Sequence, residues 1–168
     1  LGIGIILAAQ MRGRAPAEAL EGAYLAMATS NAPVTAVIGA CRVAAMTDVT
    51  GFGLARHALN LAARCGFSGV HLTLDDIPLL AGAAELSASG IASSLRDGNM
   101  RAVPEQHIAP DLAPEKTALL FDPQTSGGVL AAIPSTDAEP VIAALARLEG
   151  SLAVRIGRFT SVSGLTLS

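Results

Sequence analysis

A chain of 168 residues, 51% hydrophobic and 15% charged, has the size of one domain and enough apolar content for a core. That balance excludes a disordered polymer. A net charge of −3, no block of Lys or Arg, and few aromatics (four Phe, one Tyr, no Trp) exclude the usual nucleic-acid partner. Cys41 and Cys65 lie far apart and outside any C-x-x-C spacing. They read as small buried residues, against a zinc site or disulfide framework and in favour of a reducing cytoplasm. Mean hydropathy is +0.51, high for a soluble domain, so either elements are buried on both faces or some apolar surface meets a partner. No apolar run approaches the ~18 residues of a membrane span.

In chain order, Leu1–Ala9 is apolar, short and followed by Arg12 and Arg14, without the layout of a signal peptide. It predicts a buried strand. The chain lacks an initial Met and opens inside this run, as a fragment of a longer protein would. Pro16 opens a helix to about Met27, with Leu20, Ala23, Tyr24 and Met27 on one face. Ser30 and Asn31 are candidate caps for a helix from Pro33 to about Ala40. Val43–Met46 predicts a short buried strand. A helix to about Arg64 follows, with an apolar stripe of Leu54, Ala58, Leu61, Ala62 and Cys65, ended by Gly66. Val70–Leu74 predicts a strand, Leu79–Ser89 a helix stopped by Gly90, and 91–114 an irregular loop. Thr117–Phe121 and Val129–Ile133 predict strands, Thr136–Leu148 a helix, Leu152–Phe159 a strand and Leu165–Leu167 a last short one. Alternating helices and strands in one unit imply an α+β domain, a mixed β-sheet with helices layered on it.

Two segments carry polar side chains and glycines together. In Thr47-Asp48-Val49-Thr50-Gly51-Phe52-Gly53-Leu54 a strand ends, a glycine-rich turn follows and a helix begins. Helix N-termini attract phosphate, glycines admit close approach of an anion, and Asp48 can hold a hard cation such as Mg²⁺. The same residues also suit a simply capped helix, with Thr50 as N-cap and Asp48 stabilising the dipole. No Walker loop is present. In Asp122-Pro123-Gln124-Thr125-Ser126-Gly127-Gly128, the side chains of Gln124, Thr125 and Ser126 can line a polar cleft, or the segment can be a tight connection between strands.

Both stretches resemble signatures of the selenophosphate synthetases (selenide, water dikinases). Met46–Leu54 is similar to their T-D-V-T-G-F-G-L segment and Leu120–Gly128 to their D-P-Q-T-S-G-G segment. Leu1-Gly2-Ile3-Gly4 with Met11-Arg12-Gly13 is similar to their L-G-T-G segment and the residues just after it. The order and spacing fit along nearly the whole chain. The resemblance implies the C-terminal-domain fold of the aminoimidazole ribotide synthetase-like superfamily, so residues 1–168 would be one C-terminal domain whose N-terminal ATP-binding domain lies outside this chain. It implies conversion of selenide, ATP and water to selenophosphate, AMP and orthophosphate, with Mg²⁺ and ATP needing both domains. It also implies small-molecule substrates, a homodimeric parent enzyme, and neither membrane nor nucleic acid as partner.

By resemblance, Asp48 is a metal ligand, and Thr47, Thr50, Gly51 and Gly53 lie near the phosphates. Gln124, Thr125, Ser126 and His57 are candidates to line the cleft, and no catalytic residue belongs to this chain. The reactive Cys or selenocysteine and its Lys belong to the N-terminal half, so Cys41 and Cys65 do not take that role. Two departures stand out: Ala55-Arg56-His57 occupies the place of L-G-H, and Ile3 that of Thr in L-G-T-G. Arg56 points to solvent or reaches an anion; His57 is a packed structural residue or a cleft residue. Ser93–Asn99 looks like the version found when the enzyme is fused to a flavin-dependent oxidoreductase domain. The alternatives to the enzyme half are a non-catalytic scaffold domain and another ATP-using member of the superfamily.

Overall fold

The first nine residues do not form a strand. In the computed structural model, which describes residues 1–103 and 105–168, the chain opens with helix α1 (Ile3–Gln10). Ile3, Ile5, Ile6, Ala8 and Ala9 are all buried, so the helix is enclosed on every side and shows no apolar periodicity to distinguish it from a strand. Helices α2 (Ala17–Ala28) and α3 (Ala32–Gly39) follow, then β1 (Ala45–Asp48), α4 (Gly53–Arg64) and β2 (Gly69–Leu72). Next come α5 (Ala83–Ala88), α6 (Arg96–Arg101), β3 (Gln106–Ile108) and α7 (Pro114–Ala118). The chain ends with β4 (Val129–Ala132), α8 (Ala138–Leu145), β5 (Gly157–Thr160) and β6 (Gly164–Leu167).

Two sheets result. β1 and β4 form an antiparallel pair with Asp48 opposite Val129. The other sheet is mixed, in the order β3-β6-β2-β5, with β2 and β3 parallel to β6 and β5 antiparallel to β2. The architecture is α+β, as expected. Its apolar interior falls into three clusters. One joins α4 to the four-stranded sheet through Leu54, Ala58, Val70, Leu72 and Leu165. A second packs α1, α2 and α5 together, and a third packs α3 and α8 against the two-stranded sheet. The predicted stripe of α4 is buried at Leu54, Ala58, Leu61 and Ala62, and Gly66 ends the helix with φ of +82°.

The 117–121 stretch departs from expectation. It is the end of α7 and a 3-10 turn over Leu119–Phe121. Leu119 enters the α1–α2–α5 cluster, whereas Leu120 and Phe121 enter the sheet cluster. A short run buried on all sides has no alternation, and strand and turn then look alike in sequence. The 91–114 segment likewise contains α6 and β3 rather than irregular loop alone. Cys41 and Cys65 are only half-buried, and no disulfide joins them.

α1 lies so close to the chain at 122–123 that a Cβ on Gly4 would stand 2.5 Å from the Pro123 carbonyl oxygen. Gly to Ala inside a helix ordinarily stabilises by about 0.5–1 kcal/mol. Here the backbone collision reverses the sign, and Gly4→Ala is expected to lower stability by roughly 1–3 kcal/mol, the scale of overpacking. A raised urea midpoint for Gly4→Ala would contradict this packing.

Candidate functional site

The two glycine-rich segments meet at one end of the β1–β4 pair. The ladder continues past Asp48, because the Val49 amide donates to the Gly128 carbonyl (2.9 Å) and the Gln124 amide to the Thr50 carbonyl (3.1 Å). The turn after β1 and the turn before β4 therefore lie side by side, although 74 residues separate Thr50 from Gln124 in sequence.

Gln124 is not a cleft residue. It is 4% exposed, and its Oε1 accepts the backbone N–H groups of Gly2 (3.2 Å) and Ile3 (3.3 Å). Asp122, 1% exposed, accepts the Ile5 N–H at Oδ2 (3.0 Å) and the Gln124 Nε2 at the same oxygen (3.2 Å). The first turn of a helix leaves its amides unpaired. In α1 those amides are satisfied by side chains more than a hundred residues away in sequence, which serve as a remote N-cap. Burial pushes the Asp122 carboxyl up to about 6, opposed by the backbone amide of Ile5 and the side chain of Gln124. Its Oδ1 is buried without a partner among the described residues. Thr125 and Ser126 are exposed, and Ser126 holds a left-handed φ of 55°, uncommon for a residue with a Cβ.

Asp48, the last residue of β1, is exposed. Its Oδ1 accepts Nδ2 of Asn31 (3.1 Å), and among the described residues no other side chain donates to it. Thr47 is half-buried, with its hydroxyl on the Asp48 carbonyl (3.1 Å). Thr50 is not the N-cap of α4: Phe52 holds that position, and no side chain caps the helix. The Thr50 N–H instead donates to Nε2 of His57 (3.1 Å), so the histidine tethers the turn from one turn inside the helix. Burial lowers the His57 pKa, with Asp48 pulling the other way, which favours the neutral ring that can accept this bond. Gly51 has open space on its side-chain face. Gly53 has its side-chain face packed against backbone. It is buried with φ of +75°, its N–H goes to the Thr50 carbonyl, and a Cβ would stand 2.7 Å from the Leu120 oxygen. Its lack of a side chain serves packing.

Local sequence pattern misses two further contributors. Asn99, on α6, donates to the carbonyls of Gly51 and Phe121 (both 2.9 Å) and clamps the turn from behind. Arg56 is half-buried, and its Nη1 donates to the Ala102 carbonyl at the end of α6 (2.7 Å). Phe52, Arg56, Asn60, Asn99 and Ala102 line a recess of about 200 Å³ beside the turn. Among the described residues, no three His, Cys, Asp or Glu side chains gather into a metal-binding group. Asp48 is thus not part of such a group among the described residues. That suits Mg²⁺, which keeps several waters and takes one or two carboxylates along with phosphate oxygens. No helix among the described residues is long and apolar enough to cross a membrane.

The family model described as AIR synthase related protein, C-terminal domain, matches residues 1–168. The chain is 32% identical over 165 residues to a protein of Carboxydothermus hydrogenoformans named selenide, water dikinase, covering 98% of this chain and 47% of that protein. It is 36% identical over 166 residues to the selenide, water dikinase of Salmonella typhi, covering 98% and 46%. The chain thus spans about half the length of the curated relatives it matches. In fold it is similar to the Escherichia coli hydrogenase maturation protein HypE, with TM-score 0.66, 18% identity and coverage of 99% of this chain and 42% of that one. It is also similar to thiamine-monophosphate kinase from Stenotrophomonas maltophilia, with TM-score 0.65, 17% identity and coverage of 99% and 47%.

The buried Asp122 carboxyl sets a pH dependence. Its folded-state value near 6 lies above its ordinary 3.8, so the folded chain holds this proton more tightly than the unfolded one. The contribution is full below about 3.8 and is lost as pH rises through about 6. Relative to Asp122→Asn, the unmodified chain is expected to gain on the order of 2–3 kcal/mol between pH 7 and pH 4. Denaturant titrations at both pH values measure this; a difference of the opposite sign contradicts the assignment.

Proposed function

From the premise that the chain belongs to the AIR synthase related protein, C-terminal domain family, we propose that it is the C-terminal half of an ATP-dependent selenophosphate synthetase. The reaction of the whole enzyme would be selenide, ATP and water to selenophosphate, AMP and orthophosphate. One observation carries the reading: the two segments that resemble the synthetase signatures meet in space, and an exposed Asp48 carboxylate stands where they meet. The similarity to proteins named selenide, water dikinase along 98% of the chain supports the choice within the family.

In this reading Asp48 supplies one carboxylate to a Mg²⁺ whose other protein ligands lie in an N-terminal ATP-binding domain. The bound ion would neutralise phosphate charge as the phosphoryl group leaves. The residues of this chain place the groups around it. Asn31 holds one oxygen of Asp48, and neutral His57 holds Thr50 and so shapes the turn. The uncapped start of α4 adds a positive dipole end close to the turn, which favours phosphate. Gly51 leaves room on its open face, and Thr47, Thr125 and Ser126 border the same end of the ladder. In this reading the reactive Cys or selenocysteine belongs to the other half.

Apolar side chains left exposed, among them Phe52 at 63% beside the turn and Leu25 at 69%, suit contact with that domain or with a second subunit. The parent enzyme would be a cytoplasmic homodimer.

In the full-length enzyme, Asp48→Asn keeps the shape but removes the charge, and is expected to lower turnover at least ~10²-fold. Folding of the chain should change by no more than about 1 kcal/mol, the size of a cap or dipole effect. Turnover near normal in Asp48→Asn contradicts the ligand assignment. The isolated chain is expected to form no AMP from ATP and selenide. Selenide-dependent AMP formation by it alone contradicts the division of labour.

A further inference from the structure

Asn31 has an unusual occupation. It stands at the N-terminal boundary of α3, where an Asn side chain ordinarily accepts an amide of its own helix. It makes no such bond. The local need is reduced, because Pro33 in the first turn has no N–H and the Ser30 hydroxyl accepts the Ala32 amide (3.2 Å). The Asn31 amide reaches instead across 17 residues to Oδ1 of Asp48 (3.1 Å) and across 96 residues to the Gly127 carbonyl (2.9 Å). Both partners are acceptors, so the NH₂ end must face them, and its two hydrogens are committed, one to each signature segment.

We propose that Asn31 is a positioning residue that aims the Asp48 carboxylate at a divalent cation. The inference rests on the assignment of Asp48 as a metal ligand. Two bonds fix the plane of the amide, and the amide in turn fixes the rotation of the carboxylate about its side-chain bonds. With Oδ1 engaged, the other oxygen is left without a donor among the described residues, at the exposed end of β1. Ligating carboxylates are characteristically held by such outer hydrogen bonds, whose loss weakens metal binding by about 10–100-fold. A staple needed only to tie α3 to the turn would be complete with the Gly127 bond. The second bond, to a solvent-exposed carboxylate, adds little to folding, but it orients that group.

The test uses binding of Mn²⁺ alone to the full-length protein, followed by the electron paramagnetic resonance signal of the free ion. Asn31→Ser is the informative variant, since Ser is a good helix cap that preserves the start of α3 but is too short to reach Asp48. It also gives up the Gly127 bond, so its melting temperature should fall modestly with the protein still fully folded at the temperature of the titration, while Mn²⁺ binding weakens about 10-fold or more. In an Asp48→Asn background the same substitution should have no further effect on Mn²⁺ binding. Asn31→Ala, which likewise cannot reach Asp48, should weaken Mn²⁺ binding to the same extent as Asn31→Ser. Unchanged binding in Asn31→Ser, with Asp48→Asn weakened, overturns the positioning role and leaves the ligand assignment standing. Equal weakening by Asn31→Ser in both backgrounds also overturns it, because Asn31 would then act elsewhere than on Asp48. Unchanged binding in Asp48→Asn removes the ligand assignment and the positioning role with it.

Discussion

Gln124 is the joint on which the arrangement depends. Its side chain accepts two amides at the start of α1, and its own amide donates to the Thr50 carbonyl in the turn after β1. One buried residue therefore fastens the first helix of the chain to both glycine-rich turns. Asp122 completes the joint by taking the Ile5 amide and the Gln124 side-chain amide. A buried polar network of this kind is favourable only when its members are satisfied. Leaving even one amide of α1 unpaired would cost about 1–3 kcal/mol.

The joint carries a residual cost, and its location gives that cost a meaning. Asp122 is buried with one oxygen unpaired among the described residues, and its carboxyl holds a proton more firmly than an exposed one does. An apolar plug could not replace it, because α1 would lose its cap. The polar groups are therefore retained inside so that the outside of the same turns can be held open. With 122 and 124 turned inward, Thr125 and Ser126 are left at the surface, and the ladder delivers Asp48 opposite Val129 at its exposed end. Asp122 and Gln124 of the D-P-Q-T-S-G-G segment are thus structural, and its exposed Thr125 and Ser126 lie beside the turn after β1.

Much of this was legible in sequence. The amphipathic stripe of α4, the cap at Gly66, the strand at 129–132 and the importance of both glycine-rich segments follow from periodicity, turn chemistry and resemblance. What escaped did so for one physical reason. α1, the 119–121 turn and Gln124 are each buried on all sides, or are satisfied by partners more than a hundred residues away. Periodicity registers a boundary between core and solvent, and these residues have none. Likewise Asn31 reads as a local cap and Asn99 as part of an irregular loop, because nothing in their immediate neighbours reveals that their amides serve distant carbonyls. Gly53 illustrates the converse: its place in a glycine-rich turn suggests room for an anion, yet it admits the Leu120 carbonyl.

The central claim is that α1 is capped by Gln124 and Asp122, more than a hundred residues away in sequence. Amide hydrogen exchange of Ile3 and Ile5 tests it most directly. First-turn amides of an ordinary helix have no intrahelical partner and exchange readily. With the remote cap in place, both should exchange only through global unfolding, as slowly as core amides such as that of Leu72. In Gln124→Met, Ile3 should lose that protection by a large factor while the core amides keep their relative order. Rapid exchange at Ile3 and Ile5 in the unmodified chain would contradict the account.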